Sequence, residues 1–178
     1  KIKFPYADAV FKLYLASMMI PTQVTMIPLF VVMNRLGLIN TYPSVILPSL
    51  FRAFAVFMLV QQMRGIPDDY MEAAELDGAS LFRIYRTVIL PLSKSSIATL
   101  TVTTFMESWN DYLWPLLMLN DKNKMTLTLA LNSLNGQYGT EYNLLMAGSL
   151  ISMIPIIIVY ICAQKYFKEG LMAGGVKG

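Results

Sequence analysis

Four long apolar blocks separated by short polar stretches dominate the chain, over about residues 13–32, 43–63, 95–119 and 144–163. A transmembrane helix needs about 20 predominantly apolar residues, and each block reaches that length. Leu13 to Val32 carries no formal charge, and its Pro21 and Pro28 predict a kinked span, because neighbouring helices can satisfy the carbonyls that proline frees. Pro43 to Met63 holds Arg52 at its middle, a placement that costs about 2.5 to 3.5 kcal/mol on insertion scales. Arg52 is therefore expected to point away from lipid, and the sequence leaves open whether it is a structural ion-pair partner of Glu107 or Asp111 or serves transport. Ser95 to Leu119 sets Glu107, Asn110 and Asp111 among apolar residues, the pattern of a helix that lines something wet. Leu144 to Ala163 is the most apolar block and stops at Lys165 and Lys168.

The basic residues fix an orientation, since short cytoplasmic loops collect them. Lys1, Lys3 and Lys12 precede the first block; Arg64, Arg83, Arg86 and Lys94 separate the second from the third; Lys165, Lys168 and Lys177 follow the fourth. Only Arg35, Lys122 and Lys124 fall on the other side. The stretch over about residues 64–94 is thus expected in the cytoplasm.

Within it, Pro67 introduces a helix through Glu72 to Leu76, with Asp69 and Glu72 placed for a capping box and a second aspartate favouring the helix dipole. Gly78 permits a sharp turn at positive φ, and Ser80 is placed to cap a second helix. In that helix Leu81, Tyr85, Val88 and Leu92 recur at helical spacing, with Phe82 and Ile89 beside them, and predict an apolar stripe that excludes Arg83 and Arg86. The unit reads as a helical elbow that ends near Pro91, outside the membrane and shaped for docking.

Composition agrees with a lipid-embedded chain: 56% of residues are hydrophobic and 14% charged, against about 25% charged in soluble domains, and the mean hydropathy is +0.52. The net charge of +3 does not point to nucleic acid, because the basic residues border apolar blocks instead of sharing one polar face. With no histidine and the single cysteine Cys162 inside an apolar block, no disulfide framework or cysteine metal cluster is expected. The 13 methionines scatter through the spans and read as gap-filling apolar residues, so no metal or other cofactor is expected. No G-x-x-x-x-G-K-[ST] loop occurs, so nucleotide hydrolysis belongs elsewhere. The chain begins at Lys1 and its first residues lack the apolar core of a signal peptide, which reads as part of a longer protein.

Glu72-Ala73-Ala74-Glu75-Leu76-Asp77-Gly78-Ala79-Ser80 followed by Val88-Ile89-Leu90-Pro91 resembles the EAA loop of binding-protein-dependent ABC importer permeases. The family usually has isoleucine where this chain has Val88, a change that keeps the helix face apolar. Trp109-Asn110-Asp111-Tyr112-Leu113-Trp114-Pro115-Leu116 and the ending Gly170 to Gly178 extend the resemblance to the carbohydrate branch, the MalG-like permeases. The resemblance implies an all-α polytopic protein of the bacterial or archaeal inner membrane, the last four of six spans being present, with no catalytic residues of its own. Its implied partners are a cytoplasmic ATPase dimer, a second permease subunit and an extracytoplasmic solute-binding protein, in membrane lipid. Glu72, Ala73, Ala74, Asp77, Gly78 and Ala79 inherit the ATPase-docking role by position, and the tail Gly174 to Gly178 would approach the ATPase as well.

Plainer readings stand beside these. Glu72, Glu75 and Asp77 alone would pass for a solvated helix face. Trp109, Asn110 and Asp111 are candidates for the translocation path, or equally for polar packing between helices. Gln137, Tyr138 and Asn143 lie in a polar loop that either reaches toward the binding protein or is merely solvated. An ion-gradient-driven secondary carrier accommodates Glu107 but leaves the elbow unexplained. An intramembrane enzyme pairing Glu107 with Asp111 lacks a nucleophile or metal.

Overall fold

The computed structural model describes residues 1, 5–136 and 139–175, with side chains described for 1, 5–134 and 141–166. The regular secondary structure of the described residues is helical apart from a two-residue antiparallel pairing in which Asn135 faces Thr140 and Gly136 faces Gly139. It forms two compact units, one of Lys1–Met19, Ala53–Val102 and Cys162–Gly178, the other of Ile20–Arg52 and Thr103–Ile161.

Helices α1 (Ala7–Met18) and α2 (Thr22–Arg35) occupy the first block, α3 (Tyr42–Ser49) and α4 (Ala53–Arg64) the second. Tyr42–Arg64 and Tyr142–Tyr166 are each long and apolar enough to cross a membrane. The α1–α2 pair and the pair Leu81–Leu92 with Lys94–Trp109 raise the total to four if each broken pair is one span.

Proline explains where the first block parts. Pro21 is the N-cap of α2, and its fixed φ of −59° with ψ of 136° takes the chain out of helix, so the expected kinked span is two helices instead. Pro48 lies inside α3 and has no N–H to offer the Ser44 carbonyl one turn earlier. The indole of Trp114 supplies the missing donor, Nε1 to the Ser44 oxygen at 3.0 Å, from α9 (Leu113–Met118).

In the first unit, α1 and α4 pack through Phe11 and Phe57, stacked at 6.3 Å. Arg64 at the end of α4 donates to Asp8 at 3.1 Å and lies over the Phe11 ring. This joins the start of α1 to the end of α4, which are the two ends that the distribution of basic residues assigns to one side. In the second unit Met33, Trp114, Met118, Leu119 and Leu129 are buried together. There Asn40, in the left-handed region at φ 59°, ties two connections together. Its side-chain oxygen accepts the N–H groups of Asn120 and Asp121 at 3.1 and 3.0 Å, and its carbonyl accepts Lys124 Nζ at 2.9 Å.

The third block also parts. Helix α8 (Lys94–Trp109) ends at Asn110, and α9 begins at Leu113. Helix α10 (Leu127–Ser133) precedes the long α11 (Tyr142–Gly175), whose apolar side chains from Leu144 to Ile161 are largely exposed, as a lipid-facing span requires.

Candidate functional site: a helical elbow and a polar helix break

The elbow is built around a small core in the first unit. Helix α5 (Asp69–Leu76) ends in a Schellman turn: Gly78 N–H donates to the Glu75 carbonyl at 2.9 Å and Ala79 N–H to that of Ala74 at 3.0 Å. Gly78 adopts φ 76°, as its place in the sequence predicts. Ser80 then caps α6 (Leu81–Ile84), its Oγ accepting the Arg83 N–H at 3.4 Å. A π turn (Tyr85–Ile89) and α7 (Leu90–Leu92) follow, and the chain bends by 72° at Ser93 into α8.

Two expectations change here. The cap of α5 is Asp68, not Asp69, and it makes no side-chain cap hydrogen bond; Asp69 and Glu72 sit in the first turn, where their charge still complements the helix dipole. The buried face of the second helix is not the stripe of Leu81, Tyr85, Val88 and Leu92. Ile84 and Ile89 are buried at 1% and 5% exposure, while Leu81, Phe82, Tyr85 and Leu92 lie exposed. The π turn is the reason, because its five-residue step brings Ile84 and Ile89 onto one face.

Ile66, Ile84 and Ile89 form the elbow core, with Met63, Met71, Ala74, Ala79 and Val88 packed against it. Ala74 and Ala79 therefore hold the two arms together instead of presenting themselves outward. Glu72, Ala73, Glu75 and Asp77 are exposed, and Leu76, 89% exposed, and Phe82, 72% exposed, stand out beside them. A cleft of about 210 Å³ lined by Met63, Met71, Leu81, Ile84, Tyr85, Ile89 and Lys1 opens at the base of the elbow. An exposed surface that mixes large apolar side chains with carboxylates suits a protein partner better than solvent alone.

The second constellation surrounds the end of α8 in the second unit. Trp109 stacks on Phe105 at 5.6 Å and donates Nε1 to the carbonyl and hydroxyl of Ser152, at 3.1 and 3.2 Å, one turn before Pro155. The Trp109 carbonyl accepts from Thr128 Oγ1 at 2.6 Å. Asn110 turns its amide back to the Met106 carbonyl at 2.8 Å, and Asp111 Oδ1 accepts the Trp114 N–H at 3.3 Å, capping α9. Trp109 and Asp111 thus hold the break, while Asn110 stays exposed. Arg52 pairs through Nη1 with Glu107 and donates Nη2 to Ser108 Oγ at 3.0 Å, which settles its partner as Glu107, not Asp111. No motif marked this pair in the sequence; the signal was the lone Arg52 in one apolar block and the acids Glu107 and Asp111 in another.

Among the described residues no group of three or more acidic, cysteine or histidine side chains is arranged to hold a metal. Gln137, Tyr138 and the tail residues 176–178 lie outside the described residues.

An elbow set among helices long and apolar enough to cross a membrane is the frame in which comparison with known proteins places the chain. Residues 1–172 match the model of the binding-protein-dependent transport system inner membrane component family, and the chain belongs to that family. It is 42% identical over 168 residues to the arabinooligosaccharides transport system permease protein AraQ of Halalkalibacterium halodurans, covering 94% of this chain and 60% of the relative. The lactose transport system permease protein LacG of Rhizobium radiobacter is 34% identical, with 96% of this chain and 62% of the relative covered. The sn-glycerol-3-phosphate transport system permease protein UgpE of Pectobacterium atrosepticum is 37% identical, with 96% and 61% covered. A chain in the crystal structure of a bacterial ABC transporter involved in the import of the acidic polysaccharide alginate superposes with a TM-score of 0.79 at 28% identity, covering 94% of this chain and 64% of that one. The chain therefore spans about three fifths of the length of these relatives. Family membership decides against the ion-gradient-driven carrier considered above.

Proposed function

We propose that this chain is a permease subunit of an ATP-driven, binding-protein-dependent importer of carbohydrates, multi-pass in a bacterial or archaeal inner membrane. It assembles with a second permease subunit, a cytoplasmic ATPase dimer and an extracytoplasmic solute-binding protein. The observation that carries this reading is the elbow: a rigid turn, fixed by a Schellman motif and an isoleucine core, that exposes Glu72, Glu75 and Asp77 beside Leu76 and Phe82. The names of the sugar-transport relatives support the carbohydrate class.

In this reading Glu72, Ala73 and Asp77 touch the ATPase, while Ala74, Gly78 and Ala79 give the elbow its shape. Closure of the ATPase dimer on ATP moves the elbow, and the bend at Ser93 passes that movement to α8, exchanging inward-open and outward-open states. Asn110 faces the path, and Trp109 with Asp111 shapes it by holding the helix break.

The test is co-purification of the full-length subunit from its membrane, with and without Glu72→Lys. The unmodified subunit brings down an ATPase and a second permease, and the charge reversal lowers recovery of the ATPase or uncouples hydrolysis from uptake by at least tenfold. A Glu72→Lys subunit with full assembly, coupled hydrolysis and uptake overturns the docking role. A full-length subunit that carries no ATPase overturns the importer reading itself.

A further inference from the structure

A charged pair stands at mid-depth in the span region and is left open on one side. Arg52 immediately precedes α4, about 18 Å of helical rise from Arg64, and Glu107 lies about 20 Å of rise from Lys94, the two basic residues that the charge distribution assigns to the cytoplasmic side. Counted from that side, Arg52 and Glu107 fall at similar depths, in the middle part of a hydrocarbon layer about 30 Å thick. At that level they meet, Arg52 Nη1 on Glu107 and Nη2 on Ser108 Oγ.

The pair is not enclosed. Glu107 keeps 60% of its side chain exposed and Arg52 26%, and Ser108 and Asn110 beside them are also exposed. Glu107 and Asn110, three residues apart, share a helix face, whereas Trp109 is turned to Phe105 and Ser152. Lipid cannot be what meets this face, because an ionised pair against acyl chains is among the costliest placements a membrane protein can make. The largely exposed α11 surface, with Leu150, Ile154 and Ile158, is by contrast suited to lipid.

Resting on the importer reading, we propose that Arg52, Glu107, Ser108 and Asn110 form a solute-contact station at the middle of the translocation path, selective for uncharged polyhydroxylated solutes. A guanidinium donor, a carboxylate acceptor, a hydroxyl and an amide within one patch match solutes whose hydroxyls both donate and accept. Because Glu107 neutralises Arg52, the station offers no net charge to an anion. Removing the carboxylate leaves an unpaired guanidinium, which favours anionic sugars over neutral ones.

The experiment uses the full-length subunit assembled with its partners in membrane vesicles, in a Cys162→Ala background that removes the single cysteine of this segment, any cysteine elsewhere in the full-length subunit being replaced likewise. Glu107→Cys and, as a lipid-facing control, Ile154→Cys are treated with a charged, membrane-impermeant thiol reagent, with and without the transported sugar. Glu107→Cys is expected to react at least tenfold faster than Ile154→Cys, and the sugar to slow that reaction severalfold. A Glu107→Cys as inert as the control places the pair against protein or lipid and overturns the proposal. Labelling that the sugar does not slow makes the pair wet but no solute contact, which overturns it too. In parallel, Glu107→Gln is expected to lower uptake of the neutral sugar relative to its uronic acid analogue, and an unchanged ratio overturns the selectivity. Should the Cys162→Ala parent bring down no ATPase and take up no sugar while the unmodified protein behaves alike, the importer reading falls, and the station with it.

Discussion

The indole Nε1 of Trp114 donates to the carbonyl oxygen of Ser44 at 3.0 Å, at the one carbonyl in α3 whose helical donor would have been the nitrogen of Pro48. Both residues are buried, Ser44 fully. A side chain from α9 thereby completes the hydrogen bonding of α3. Trp114→Phe keeps most of the apolar volume and removes the donor, leaving a buried carbonyl unsatisfied at a cost of about 1 to 3 kcal/mol. Pro48→Ala restores a backbone N–H at that position, so the Trp114→Phe penalty is expected to shrink in the Pro48→Ala background. Thermal unfolding of the four proteins of this cycle, in the assembled importer, measures the coupling. An equal penalty in both backgrounds means that the indole does not replace the proline's missing bond.

Freed carbonyls were foreseeable from the prolines alone, but their partners were not, because Ser44 and Trp114 lie 70 positions apart. The sequence groups the start of α1 with the end of α4 by their basic residues, and Arg64 and Asp8 do join those two ends within the first unit. Helix breaks were not legible. Hydropathy runs unbroken through Met19, and Arg52 beside Phe51 and Asn110-Asp111 before Tyr112 read as polar residues within continuous spans, while the backbone leaves the helix near each of them. Gly78 and Ser80 were legible because local stereochemistry alone decides them, whereas the π turn rotated the elbow's buried face by an amount that a regular helical period cannot anticipate. For Arg52, the energetics required a partner, and only the fold chose Glu107, Asp111 being occupied with the Trp114 N–H.

Gly78 tests whether the elbow's shape matters apart from its chemistry. A Cβ at Gly78 meets no atom within 4 Å, so the only obstacle to a side chain is the φ of 76°. Gly78→Ala is expected to cost about 1 to 2 kcal/mol through left-handed strain. Gly78→Asn, which tolerates that region, costs less. ATPase co-purification should follow the same order, glycine above asparagine above alanine. A variant order set by side-chain size instead would make Gly78 a point of close approach to the partner.

Leu76 and Phe82 are exposed at the elbow and contribute little to its core, so their replacement should separate docking from folding. Leu76→Ser together with Phe82→Ser is expected to leave the unfolding temperature of the isolated full-length subunit within a degree or two, since such surface changes typically stay within about 0.5 kcal/mol. The same pair is expected to lower ATPase recovery by at least tenfold, as loss of buried apolar anchors does at interfaces. Recovery that does not change assigns these side chains to the membrane surface instead.

Gly148 and Leu131 define the approach of α11 to α10 within the second unit. A Cβ at Gly148 would collide with Cδ2 of Leu131, the end of a flexible side chain. Small residues serve this purpose in membrane helices, where close backbone approach takes the place of hydrophobic driving force. Gly148→Ala forces Leu131 into another rotamer and is expected to destabilise by about 1 to 3 kcal/mol. Leu131→Ala alone loses packing, but in combination the new methyl occupies space that the leucine vacated. The double variant is therefore expected to be more stable than the sum of the single penalties by about 0.5 kcal/mol or more. Simple additivity would mean that the two helices separate in the assembled protein, and that α11 meets another surface through Gly148.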